Sequence, residues 1–211
     1  MAAYLANVGV NASHRVHSPI HPDGSFRLLP IPETVPWAPP MLRLPEAWGP
    51  RAVHLDPDLA PPHPTYGDNC RRAGRAFSLR RAEAGDLIVF LARLRDGGGS
   101  AALHLVGALE IADLLADVTQ DPGPGWWDAN AHIRRARATR SWDSFWVFRG
   151  GPATRLFGRA QLFTLEVSRT LLGMQPNPRR SQQQTIASHT RAVRRLTGAA
   201  EDMLRGLCDG S

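Results

Sequence analysis

Between His54 and Asp68 the chain gathers three carboxylates, Asp56, Asp58 and Asp68, with His54 and Tyr66 among them. A carboxylate beside an anomeric carbon stabilises the positive charge that builds when a base leaves its sugar, or aligns a water there. A neighbouring His, Asn or Tyr can hold or protonate the departing base. Asp56, Asp58, Asp68 and His132 are therefore the candidate catalytic residues. Asn11, His54, Tyr66, Asn130, Trp126 and Trp127 are the candidate base contacts. Each aspartate also has a purely structural reading, because Asp favours turns and caps. Glu33 is another candidate acid, for which a solvated loop position is the default reading.

The local sequence says how these groups are carried. Ala52 to Leu55 reads as a short strand leading into the cluster. Pro57 keeps Asp56 out of helical geometry. Pro61, Pro62 and Pro64 keep the next stretch extended, and Gly67 allows a sharp turn. This predicts three carboxylates on loop backbone at a strand end, where rigid scaffolds often present chemistry. Trp126 and Trp127 follow a Pro/Gly loop and can stack on an unpaired base or join the core. Arg134, Arg135, Arg137 and Arg140 follow Asn130 and His132 with no acidic neighbour until Asp143, which suits phosphate contact. Arg71, Arg72 and Arg155 are further candidates for the DNA backbone. The alternative for such runs is a solvated face.

Composition sets the limits. The 211 residues carry 25 basic side chains, all of them Arg, and a formal charge of +6. An Arg-only basic surface suits phosphate and base stacking. The absence of Lys excludes Schiff-base chemistry through a lysine amine, so water is the expected nucleophile. No lysine-bearing phosphate loop exists, which excludes the usual form of P-loop hydrolysis. Cys70 and Cys208 have no metal-type spacing, and no disulfide is expected. The histidines His14, His17 and His21 match no recognisable zinc spacing. No metal or cofactor is expected. No membrane span or targeting segment is read, which points to the cytoplasm.

The elements that must position the candidates read as follows. Residues 3–10 form a strand. Residues 25–30 form another, followed by a proline-rich irregular stretch. Leu87 to Leu94 and the segment from Ala101 form a hairpin, with Gly107 bulging or weakening its second strand. Residues 130–140 are helical or extended. Phe145 to Phe148 form a strand. The segment from Arg155 supplies a strand or short helix and then one more strand. Residues 177–207 read as one long helix capped by Ser181. The expected class is α+β: a mixed, strongly curved sheet or partial barrel over residues 1–175, with a long C-terminal helix (176–211) packed on it as part of a single domain, most simply a monomer.

Several separated motifs carry a resemblance. They are His54, Asp56, Pro57 and Leu59; Thr65 to Asp68; Gly85, Asp86, Leu87, Val89 and Phe90; Asn130, Ala131, His132, Arg134 and Arg135; and Gly151, Arg155, Leu156, Phe157 and Ala160. Together they resemble the nucleotide modification associated domain 3 proteins over most of residues 1–165. Leu91-Ala92-Arg93-Leu94 stands where that family suggests an aromatic followed by Ala-Gly-Leu. The resemblance implies a substrate class, DNA carrying altered bases, and gives no reaction. A shorter likeness to PUA-like and EVE-like barrels covers the Gly85–Asp86 hairpin.

Four readings follow. The first is a glycosylase that flips a modified base, as of phage DNA, hydrolyses its bond to the sugar and leaves an abasic site. The second is a reader of the flipped base. A reader has no need of several carboxylates near a phosphate-binding surface, which favours catalysis. The others are a metal-dependent nuclease, in which clustered Asp would hold a divalent cation, and a base-modifying transferase, for which no donor-cofactor fingerprint is present.

Overall fold

The structure is a computed structural model that describes residues 1–9, 16–33, 53–60, 62–72 and 74–209. Asn11 lies outside the described residues. In chain order the elements are β1 (Ala3–Val8), β2 (Ser18–Pro19), β3 (Ile31–Pro32), β4 (Val53–His54), β5 (Thr65–Asn69), β6 (Leu87–Arg95), β7 (Ala101–Val118), α1 (Ala131–Thr139), β8 (Phe145–Gly150), β9 (Arg155–Leu162), α2 (Leu165–Leu172), α3 (Gln182–His189), β10 (Arg194–Leu196) and α4 (Ala199–Asp209). The class is α+β, with a mixed sheet ordered β10-β1-β6-β7-β8-β5. β1 and β6 run parallel, and the other neighbours in that order are antiparallel. β2 joins β6 and β9 joins β7, while β3 and β4 form a separate pair. The sheet does not close into a barrel.

The β6–β7 hairpin forms as its apolar runs predict. Its register slips where Phe90 faces Gly107 and Leu91 faces Leu105, which leaves Val106 as the extra residue of a bulge. A side chain at 107 would press on the Arg155 carbonyl, so the glycine lets β9 approach. Asp86 fixes the other end of the hairpin. Its carboxylate accepts from the Ala2 and Glu83 amides at 2.6 and 3.1 Å.

Strand alternation sorts the core. Tyr4, Ala6, Ile88, Phe90, Leu94, Tyr66 and Phe148 point into one cluster, closed by Leu59, Ala76, Leu79 and neighbouring irregular segments. The opposite positions, including Leu5, Val89 and Leu91, meet Phe163, Leu171, Ile186 and Leu204 from the α2–α4 layer. At the β8 end, Phe145 and Val147 pack against Ile133 and Ala136 of α1.

Three expectations are corrected. No long C-terminal helix exists. Ser181 does cap α3 in a full capping box, but α3 stops at His189. The chain then extends, so that Leu196 pairs with Ala3, and turns at Gly198 with φ +59° before α4. Pairing with β1 outweighs helical continuation there. The segment after β9 is the helix α2, capped by Thr164, and not a strand. The expected strand at residues 25–30 is reduced to a single bridge between Phe26 and Ile20, with β3 following it.

Candidate active site at the edge strand

β5 is the last strand in the sheet order, so one row of its backbone groups faces away from the sheet. The outward amides of Thr65, Gly67 and Asn69 each need an acceptor. The Asp58 carbonyl takes Thr65 at 2.7 Å, Asp56 Oδ1 takes Gly67 at 3.0 Å, and Asp68 Oδ1 takes Asn69 at 2.8 Å. All three aspartates thus meet this one strand. Asp68 lies within the strand itself, so the expectation of three loop carboxylates is corrected at that residue. The Asp58 carboxylate accepts from the Ala60 amide at 3.3 Å, a turn contact.

The two-residue period of β5 divides the candidates between its faces. Tyr66 and Asp68 point into the core side. The Tyr66 hydroxyl donates to Asp68 Oδ2 at 2.6 Å, and Arg75 Nη2 donates to the same oxygen at 2.9 Å. Burial pushes the Asp68 carboxyl above its usual range, more than Arg75 and Tyr66 pull it down. Burial, then the Asp68 charge, raises the Tyr66 phenol well above its ordinary value. Tyr66 is fully buried between Phe90 and Phe148, with ring centroids 5.1 and 6.2 Å away. Asp68→Ala leaves that hydroxyl and the Asn69 amide without an acceptor. The expected cost is roughly 2–3 kcal/mol of stability, read by urea unfolding. A change under about 0.5 kcal/mol, the range of ordinary surface substitutions, contradicts a structural role for the triad.

Thr65, Gly67 and Asn69 face α1 and the chain around it. Asn130 caps α1 through the His132 amide at 3.0 Å, and its Nδ2 donates to Thr65 Oγ1 at 3.1 Å. Asn69 Nδ2 donates to Asp143 Oδ2 at 2.9 Å. Between them His132 lies over Gly67. A Cβ at 67 would come within 2.5 Å of His132 Cδ2, so only glycine leaves room for the ring. His132 Nε2 then meets Asp56 Oδ2 at 3.1 Å. Asp56, only 8% exposed, uses one oxygen on the Gly67 amide and the other on the imidazole.

A second carboxylate–imidazole pair lies beside the first. The β3–β4 pairing sets Ile31 opposite His54 and so brings Glu33 alongside it. His54 Nδ1 lies 2.9 Å from Glu33 Oε1, and Arg135 Nε lies 3.6 Å from Glu33 Oε2. The His54 and His132 rings are 6.4 Å apart, edge to face. Glu33, His54, Ala131, His132 and Arg135 line a small cavity of about 30 Å³. Glu33 is only 10% exposed, so the default of a solvated loop acid is corrected.

The two pairs differ in their electrostatics. Burial lowers the His132 pKa, but the bond to Asp56 and the charges of Asp56, Asp68 and Asp143 outweigh it and hold the ring above the ordinary imidazole value. Burial raises the Glu33 pKa, but His54, Arg135 and His132 outweigh it and hold the carboxyl below its ordinary value. The arrangement therefore favours an imidazolium that can donate a proton next to a carboxylate that stays ionised. Among the described residues no group of three or more His, Cys, Asp or Glu side chains is placed to hold a metal ion.

The remaining candidates take up other contacts. Trp126 and Trp127 are half-buried and edge to face, packed towards Val118, Ile133 and Phe145. Trp127 Nε1 donates to the Gly123 carbonyl at 2.9 Å. Arg137 has the partners the sequence did not suggest, Asp121 at 3.0 Å and Asp128 at 2.9 Å, across the folded loop. Arg155 Nη2 donates to the Cys208 carbonyl at 2.7 Å, tying β9 to α4. Arg71 and Arg72 are exposed, and Arg134 is half-buried on α1.

No helix among the described residues is long and apolar enough to cross a membrane. No curated protein matches the chain. A family model described as nucleotide modification associated domain 3 matches residues 3–202, which takes in both carboxylate–imidazole pairs and the whole sheet. The match extends well past the motifs that carried the resemblance, and the chain belongs to the nucleotide modification associated domain 3 family.

Proposed function

We propose that the protein is a monofunctional DNA glycosylase that hydrolyses the bond between a modified base and its deoxyribose and leaves an abasic site. The carrying observation is that His132, paired with Asp56, lines one cavity together with the Glu33–His54 pair. In this reading His132 gives its proton to the departing base, and Asp56 orients the ring and keeps it protonated. Ionised Glu33 stabilises the positive charge at the anomeric carbon and takes a proton from the attacking water. A water needs about 10–15 Å³ of such space, so the cavity suits the nucleophile, and the base would sit at its mouth. The sugar–base bond breaks, a carbon–oxygen bond to water forms, and the base leaves with the His132 proton.

A binding-only reader is the second reading. The observation that favours it is that Asp56, Asp58 and Asp68 all bond to β5 or its edge, which explains their presence without chemistry. The test incubates the protein in EDTA with plain DNA and with phage DNA rich in hypermodified bases, and follows released small molecules by mass spectrometry. A free modified base from the modified DNA alone is the expected result. Retained binding with no release overturns catalysis and leaves the reader. Strand cleavage in a parallel incubation with Mg²⁺, abolished by EDTA, points instead to a metal-dependent nuclease.

A further inference from the structure

A larger opening lies at the start of α3, away from the α1 pairs. It has a volume of about 680 Å³, and Arg93, Arg179, Arg180, Ser181 and Gln183 contribute to its walls. Arg93 belongs to β6 and shares the parity of Leu87, Val89 and Leu91, so it points to the α2–α4 side of the sheet. Its Nε is buried and has no hydrogen-bond partner among the described residues. Arg93 as a whole is half-buried, and its side chain contributes to the wall of the opening. Among the described residues none of Arg93, Arg179 and Arg180 is paired with a carboxylate. Arg179 and Arg180 are exposed at the rim.

The helix adds to the same field. α3 has eight residues and no acidic side chain in its first turn. The capping box engages Ser181 and Gln184 with each other. Helix geometry leaves the first-turn amides of Gln182 and Gln183 without intrahelical acceptors, and the dipole favours an anion there. Three guanidiniums and a helix start are matched by a group with two or more negative charges and several acceptor oxygens. The volume exceeds that of a bare phosphate and lies in the range of about 300–1,000 Å³ typical of small-molecule sites.

We propose that this cavity binds the phosphate group of a nucleotide, free or within a polynucleotide, at a site separate from the α1 pairs. The inference does not depend on the base-release reading and is tested without it. The probes are a deoxynucleoside 5′-monophosphate and the matching nucleoside by calorimetry, and a labelled single-stranded oligonucleotide of plain bases by anisotropy across a salt series. The variant is Arg179→Gln with Arg180→Gln, both at exposed positions, with its thermal melt checked against the wild type.

If the phosphate is a free nucleotide's, the monophosphate binds, the nucleoside does not, and the double variant weakens binding at least tenfold. If it is a strand's, oligonucleotide affinity falls and the log–log salt slope becomes shallower by about 1.4, from two lost contacts at roughly 0.7 each. The proposal is overturned if the wild type prefers no phosphate-bearing probe over the nucleoside. It is equally overturned if the double variant, folded as the wild type, binds both probes with unchanged affinity and salt slope.

Discussion

Asp56→Asn is expected to leave modified DNA bound while base release slows by about 10²–10⁴-fold, the usual worth of a positioned proton donor. The substitution is close to isosteric. Asn keeps an oxygen for the Gly67 amide, which the aspartate holds at 3.0 Å, so the edge of β5 stays intact. What goes is the charge facing His132 Nε2. Burial is then opposed only by the charges of Asp68 and Asp143, so the ring's pKa falls from its wild-type position. The pH profile separates this from simple damage. In the wild type, release falls as pH rises through a His132 pKa above its ordinary value. In Asp56→Asn the same limb moves to lower pH. The sign for stability agrees. A histidine with a raised folded pKa stabilises fully below its unfolded value of about 6.5, and that contribution is lost as pH rises through the folded value. A binding-only protein shows no limb in release at all, and its Asp56→Asn variant matches the wild type in affinity.

Gly67→Ala is expected to be as damaging to base release by a steric route. The added methyl carbon would come within 2.5 Å of His132 Cδ2 and 3.1 Å of Asn130 Oδ1. The ring cannot yield freely, because Asp56 holds one side and Phe145 lies 5.4 Å from its centroid. Either the imidazole leaves Asp56 or β5 moves away from α1. Overpacking of this kind costs about 1–3 kcal/mol. Urea unfolding measures that loss, and mass spectrometry of released base measures the second effect. The informative comparison is His132→Ala in the Gly67→Ala background. Removing the ring removes the clash, so stability recovers while activity does not. If the double variant is no more stable than Gly67→Ala, the close approach of His132 is not what position 67 demands.

The sequence made some of this legible. The apolar runs of β1, β6 and β8 and the Gly107 irregularity follow from alternation and glycine geometry, and Asn130 and His132 stood together at the start of a basic segment. Glu33 was harder. It is one carboxylate at the start of a proline-rich stretch, and only the long-range pairing of β3 with β4 carries it to His54. The TYGDN stretch did contain a signal for β5. Its alternation of Tyr66 and Asp68 against Gly67 is a strand period, yet glycine followed by Asp reads equally as a turn, and local chemistry cannot choose between them. Arg137 was misleading for a similar reason. Its acidic partners Asp121 and Asp128 precede it on a loop that must fold back first. At the C-terminus, periodicity alone favoured one helix across Thr190 and Gly198, while a three-residue pairing with β1 decided otherwise.

The row of acceptors along β5 bears on how the protein behaves at high concentration. An end strand with bare amides is a template on which another chain can add a strand and begin aggregation. Here Asp58, Asp56 and Asp68 occupy the outward amides of Thr65, Gly67 and Asn69 in turn, and the two carboxylates add charge that a hydrophobic strand would have to bury. The groups that shape the centre thus also stop the sheet from growing sideways. Asp56 in particular serves both the edge of the sheet, through the Gly67 amide, and the placement of His132.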